Sequence, residues 1–111
     1  MVDIETFRQM ALSLPETIEQ PHFEKTSFRV HNKIFATLDI QSKIACLKLS
    51  ETEQNMLSAI NSGTIFPVHG KWGRQGWTNM LLDQVREDIC VDAISSAYFE
   101  VLKKSASSKA R

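Results

Sequence analysis

The chain has no excess of charge of either sign: 13 Lys and Arg stand against 13 Asp and Glu in 111 residues. Duplex-binding domains usually carry a clear basic excess, so this balance counts against a strongly electrostatic nucleic-acid binder. Cysteine is scarce. Cys46 and Cys90 form no CxxC and sit in no His/Cys cluster, which removes a disulfide framework and a zinc knuckle. Both are expected as small buried thiols in a reducing cytoplasm. No long apolar run exists. The uncharged stretch 55–70 is broken by Asn61, Ser62, Gly63 and Pro67, so no membrane span or membrane partner is expected. The opening residues, with Asp3 and Glu5, lack the cationic-then-apolar layout of a secretory signal. There is no internal repeat and no Ser/His/Asp or Cys/His order. His22 and His69 each lack a neighbouring ligand or carboxylate, so no catalytic residue, metal or cofactor is expected.

What the chain does have is concentrated. Both tryptophans and three of the four glycines fall in Gly70-Lys71-Trp72-Gly73-Arg74-Gln75-Gly76-Trp77. Glycine there permits a positive φ or a close backbone approach, and a loop so built more often binds than packs. The spacing matches neither a dinucleotide fingerprint nor a P-loop, and the segment leads into a strand, with no helix N-terminus to hold a phosphate. The balanced charge is also unevenly distributed. Residues 1–21 hold one base and four acids, and residues 79–102 one base and five acids. The middle holds seven bases (Lys25, Arg29, Lys33, Lys43, Lys48, Lys71, Arg74) against four acids, and the end adds Lys103, Lys104, Lys109 and Arg111. Surface potential is local, so this segregation matters more to an anionic partner than the sum does.

The length fits a single domain, residues 1–104, followed by a basic tail, 105–111, read as frayed. Asp3 caps a first helix reaching about Leu14, with Ile4, Phe7, Met10, Ala11 and Leu14 on one stripe. Leu14-Pro15 ends it. A short edge segment at 18–21 precedes strands at about 27–30, 34–39 and 44–49. Ser50-Glu51-Thr52-Glu53 reads as a capping box opening a helix to about Ile60, which Asn61-Ser62-Gly63 stops. Strands at 65–68 and 77–82 flank the tryptophan loop, and a last helix spans about 85–103. A meander with a helix at each end predicts an α+β fold: an antiparallel sheet with the N- and C-terminal helices packed on one face, a two-layer sandwich. Alternation then aims Phe28, Val30, Ile34, Ala36, Leu38, Ala45, Leu47 and Leu49 at the core. Ser27, Arg29, Phe35, Thr37, Cys46 and Lys48 should face outward.

Several strings resemble one family: Leu14-Pro15-Glu16, Glu19-Gln20-Pro21-His22-Phe23, Phe28-Arg29-Val30, Lys33-Ile34-Phe35-Ala36, Leu47-Lys48-Leu49-Ser50, and above all residues 67–78. Together they resemble the MmcQ/YjbR family of small bacterial proteins, over the chain up to about Lys104. The resemblance implies a CyaY-like (frataxin-like) α+β fold, described in that family as a double wing and commonly labelled DNA-binding. Two departures stand out: Glu24 where many members have glycine, and Lys71 where many have tyrosine. A frataxin-type iron function does not carry over, because Asp3, Glu5, Glu16 and Glu19 are too sparse for an acidic ridge.

The candidate site is therefore Lys25, Arg29, Lys33, Lys48, Lys71, Trp72 and Arg74. Lysine and arginine would meet phosphates while Trp72 stacks on a base or another flat group; Trp77, opening a strand, is read as core. The leading expectation is a non-enzymatic module making weak, electrostatic contact with DNA. A protein-interaction module using the open sheet face and Trp72 is the second reading, and the protein is expected as a monomer or weak dimer. A small-molecule or anion sensor is the third.

Overall fold

The computed structural model describes residues 1–109, with side chains through Lys104. Its elements run α1 (Ile4–Leu12), β1 (Thr17–His22), β2 (Lys25–Val30), β3 (Lys33–Asp39), β4 (Ile44–Lys48), α2 (Glu51–Ile60), β5 (Ile65–Pro67), α3 (Lys71–Arg74), β6 (Trp77–Leu81) and α4 (Glu87–Lys109). The expected tail begins within α4, and its residues 110–111 lie outside the described ones. All six strands pair antiparallel in the order β1-β2-β3-β4-β6-β5. β6 thus enters between β4 and β5, and the loop before it stands at the sheet's far side. What read as a plain loop holds one helical turn, α3.

The helices form in the places their caps dictate. The Asp3 carboxylate accepts the Thr6 N–H at 2.7 Å, and the Ser50 hydroxyl accepts the Glu53 N–H at 3.2 Å. Glu53 returns to the Ser50 hydroxyl, at 3.2 Å, instead of its backbone. Phe7 and Ala11 of α1, and Cys90, Ala93, Ile94, Ala97, Tyr98 and Val101 of α4, are buried against one sheet face. There they meet Phe28, Val30, Ala36, Leu38, Ala45, Leu47 and Met80. The Phe7 and Phe28 rings meet edge to face at 5.7 Å. Tyr98 donates to the Pro15 carbonyl at 2.8 Å, tying α4 to the link between α1 and β1. The result is the expected α+β two-layer sandwich. α2 joins the helical layer and leaves the opposite sheet face open.

Three side-chain placements differ from simple alternation. The register slips by one residue between Phe28, which pairs with Ala36, and Arg29, which pairs with Ile34. Phe35 is the extra residue of this bulge. An inserted residue reverses the parity of everything before it. Phe35, expected outward, is fully buried, its ring edge-on to Tyr98 at 5.5 Å. Ile34, expected in the core, is turned to the open face. Ser27 keeps its outward parity but is also fully buried. Its hydroxyl donates to the Gln20 carbonyl at 2.9 Å and accepts from Arg29 Nε at 3.0 Å, so the arginine covers it.

Candidate binding site on the open sheet face

The open face carries a cleft of about 480 Å³ lined by His22, Lys25, Ile34, Thr37, Cys46, Val68, Trp72 and Trp77. Strand pairing assembles its floor. Thr37 and Cys46 are cross-strand partners, and Ile34 is present only because of the bulge. His22 and Lys25 face each other across the two-residue β1–β2 turn and close one end. That turn projects Phe23, 93% exposed, at φ +60°, a left-handed conformation glycine would adopt more cheaply. The His22 and Phe23 rings touch edge to face at 4.8 Å. At the other side stands Trp72, 59% exposed, on the single turn of α3.

The tryptophan platform is fixed from below. Gly73 is pressed so close to β5's extension that a Cβ there would lie 1.8 Å from the Val68 carbonyl oxygen. Gly76 combines φ +107° with a similar approach, 2.1 Å from the Leu49 oxygen. No other residue type fits either position unchanged. Gln54 of α2, nearly buried, reaches under α3: its Nε2 lies 2.9 Å from the Gly73 carbonyl, 3.3 Å from that of Trp77 and 3.1 Å from Thr78 Oγ1. One amide thus ties α2 to α3 and β6.

The cleft's chemistry is one-sided. None of its lining residues is acidic. Among the described residues, the His22 ring nitrogens, the Lys25 ammonium, the Thr37 hydroxyl and both indole N–H groups have no hydrogen-bond partner in the protein. The walls are otherwise apolar. Such a site fits a flat group rich in acceptors and lacking positive charge. Burial pushes the Cys46 thiol up to about 11, against a smaller downward pull from Lys25. Asp39, nearby, is held below the usual carboxylate range by the Ser42 N–H first, with Lys25 adding to it.

Of the residues expected to form the site, Lys25 and Trp72 meet at this cleft, and Arg29 lies on the same face beside Ile34. The others do not converge there. Lys33 is exposed at the β2–β3 turn, paired with Val30 of the core-facing row. Lys48 donates to the Gln75 carbonyl; burial, with Lys104 of α4 beside it, pulls it below the ordinary lysine value. Its ammonium is therefore at the end of the helical layer. Arg74 borders a separate groove with Glu51, Asn55 and His69 between α2 and α3. Lys71 is exposed on α3 without lining the cleft. The seven expected residues thus occupy several sides of the molecule. Sequence reasoning missed Gln54, although Gln54, Leu57 and Asn61 fall on one helical stripe, where a polar first member was a readable sign. It also left out His22, whose pairing with Lys25 follows from the hairpin. Nothing in the sequence marked Ile34.

Among the described residues no group of three His, Cys, Asp or Glu could hold a metal ion, and no helix is long and apolar enough to cross a membrane.

The architecture defines a small α+β domain with three helices on one face of a six-stranded antiparallel sheet and a recessed aromatic site on the other. The YjbR family model matches residues 12–99, so the chain belongs to the YjbR family. A Deinococcus radiodurans protein with a DUF419 domain has a similar structure: TM-score 0.82, 23% identity, covering 95% of this chain and 82% of that one. A Pseudomonas syringae protein is similar at TM-score 0.63 and 14% identity, covering 86% of this chain and 96% of that one. At these identities the likeness concerns the fold alone. No curated protein matches the chain.

Proposed function

We propose that this protein is a cytoplasmic, non-enzymatic DNA-binding module that takes one unpaired base of a DNA strand into the open-face cleft. The base stacks on Trp72, and Lys25 and Arg29 meet the adjoining phosphates. The observation that carries the reading is the half-exposed Trp72 indole standing over a cleft lined by unpartnered donors and no acid. The absence of any carboxylate or activated nucleophile in the lining supports binding over catalysis: the one thiol there is pushed up, not down. Two unpaired cysteines accord with the reducing cytoplasm. A duplex gripped along its backbone is less well supported, because the cations that would grip it are dispersed.

The two modes differ in magnitude. Two phosphates on a single strand give a salt slope of about 1.4, so affinity falls about sevenfold between roughly 50 and 200 mM salt. A backbone-tracking duplex binder with six or more contacts loses about a thousandfold over the same range. Tryptophan fluorescence, titrated with oligo-dT, a short duplex and mononucleotides, reads this directly. The expected result is quenching by the single strand with the shallow slope, abolished by Trp72→Ala and weakened by Lys25→Glu. No response to any oligonucleotide at low salt would end the DNA reading.

A second reading, a sensor of a small flat anion, is favoured by the recessed volume of the cleft. Mononucleotides or other phosphorylated aromatic metabolites would then raise the melting temperature as strongly as the strand does.

A further inference from the structure

The helical layer carries an apolar feature that the open-face cleft does not use. α2 packs at the β5 side of the sheet and α4 over β2, β3 and β4, and the space between them is a groove of about 520 Å³. Glu53, Met56 and Leu57 of α2 line it, with Asp92, Ser95, Ser96, Phe99, Glu100 and Lys103 of α4. Phe99 is 58% exposed and Met56 52%, and Ile60, one turn from Met56, is 72% exposed. Apolar side chains so close together on one face are more than scattered surface residues.

The order of residues along α4 selects the occupant. Asp92, Ser95, Ser96, Phe99 and Lys103 recur at helical spacing and form one stripe. Lay a second copy of that stripe antiparallel over the first, centred between residues 97 and 98. Asp92 then faces Lys103 of the other copy, Ser95 faces Glu100, and Ser96 faces Phe99. Each relation occurs twice by symmetry. The acid meets the base, a hydroxyl meets a carboxylate that Lys104 of its own helix already pairs at 3.2 Å, and the one large ring falls against the small serines beside the groove. A two-fold interface requires this self-complementarity, whereas a stripe meant for an unrelated partner does not.

We propose that the α2–α4 face is a homodimer interface, two copies packing antiparallel through α4 with Phe99 of each entering the groove of the other. The stripe from Asp92 to Lys103 is about 16 Å long at 1.5 Å per residue. Flanked by Met56 and Leu57, it falls at the low end of specific interfaces, which bury about 600 Å² or more per partner. The dimer is therefore weak, forming between micromolar and millimolar concentration. It leaves the open-face cleft of each copy free.

Sedimentation velocity across that concentration range tests this. The expected result is a reversible dimer that Trp72→Ala leaves intact. Phe99→Glu should abolish it while the thermal melt stays near the wild-type value, since the ring is mostly in solvent. Asp92→Lys and Lys103→Asp should each be monomeric alone, because each sets like charges opposite one another twice. Mixed in equal amounts they should form a heterodimer, one copy offering two lysines and the other two aspartates. A protein that stays monomeric throughout overturns the proposal. So does a dimer that survives Phe99→Glu, or charge variants that fail to pair when mixed.

Discussion

Gln54 offers the sharpest test of how the tryptophan platform is held. Its amide has two hydrogens and three acceptors in reach, so about two hydrogen bonds exist at any moment. Each acceptor also has other company. The Gly73 carbonyl accepts the Gly76 N–H at 3.0 Å and the Trp77 carbonyl the Val68 N–H at 2.9 Å, while the Thr78 hydroxyl donates to the Gly76 carbonyl. Gln54→Leu therefore orphans nothing completely, and the loss is that of two ordinary bonds, about 2 kcal/mol. Gln54→Glu, of nearly the same shape, behaves differently. It aims an ionised carboxylate at two carbonyl oxygens, with only the Thr78 hydroxyl, already donating to Gly76, as a donor in reach, which costs about 3 kcal/mol at neutral pH. The introduced carboxyl can escape by holding its proton, so its folded pKa lies above the unfolded value of about 4.3. The folded state then binds more protons, and the penalty grows as pH rises from about 4.3 toward the folded value. Urea unfolding at neutral pH and near pH 4, each referred to wild type at the same pH, measures both effects. The leucine variant should be equally destabilised at both, the glutamate variant close to wild type only when acidic. If the two variants lose the same stability at neutral pH, or the glutamate variant shows no pH dependence, the platform is not held in this way.

Gly73→Ala should destabilise by about 1–3 kcal/mol in thermal or urea unfolding, because its Cβ would meet backbone at 1.8 Å. Gly63→Ala, which has a positive φ but open space, should lose less. Arg8 places Nε 3.1 Å from both Glu19 carboxylate oxygens and a terminal nitrogen 2.7 Å from one, joining α1 to β1 and holding that carboxyl below its usual range. A depressed folded pKa contributes stability above about pH 4.5 that is lost as pH falls through the folded value. Glu19→Gln should thus be about 1 kcal/mol less stable near neutrality for this partly exposed pair, with the gap to wild type closing in acid. With its thiol at about 11, Cys46 should be alkylated slowly at pH 8, its thiolate being about a thousandth of the population, and more slowly still when the cleft is filled. Rapid labelling of half-buried Cys46 in the folded protein would contradict a thiol held in its protonated form.

Much of this molecule was legible in one dimension because the signals are local. Asp3 and Ser50 cap their helices through hydroxyl or carboxylate groups three residues from the N–H they accept. The α1 stripe packs on the core as its spacing predicts, and the family is carried above all by a contiguous block of residues. Local chemistry of this kind acts before the chain has closed on itself. The bulge at Phe35 was not legible, since nothing nearby requires it. The ring is drawn inward by Tyr98, sixty-three positions later, and that contact turns Ile34 onto the open face. The cations show the same division. Their number and their segment follow from sequence, but whether they share a surface depends on where each strand ends and what lies opposite. Lys25 faces the cleft because a tight turn sets it across from His22, whereas Lys48 goes to a carbonyl and to the far end of α4. Composition and spacing determined which elements form and which face they bury. Only strand order, one extra residue and a buried amide decided which side chains come together around Trp72, because those depend on contacts between residues distant in the chain.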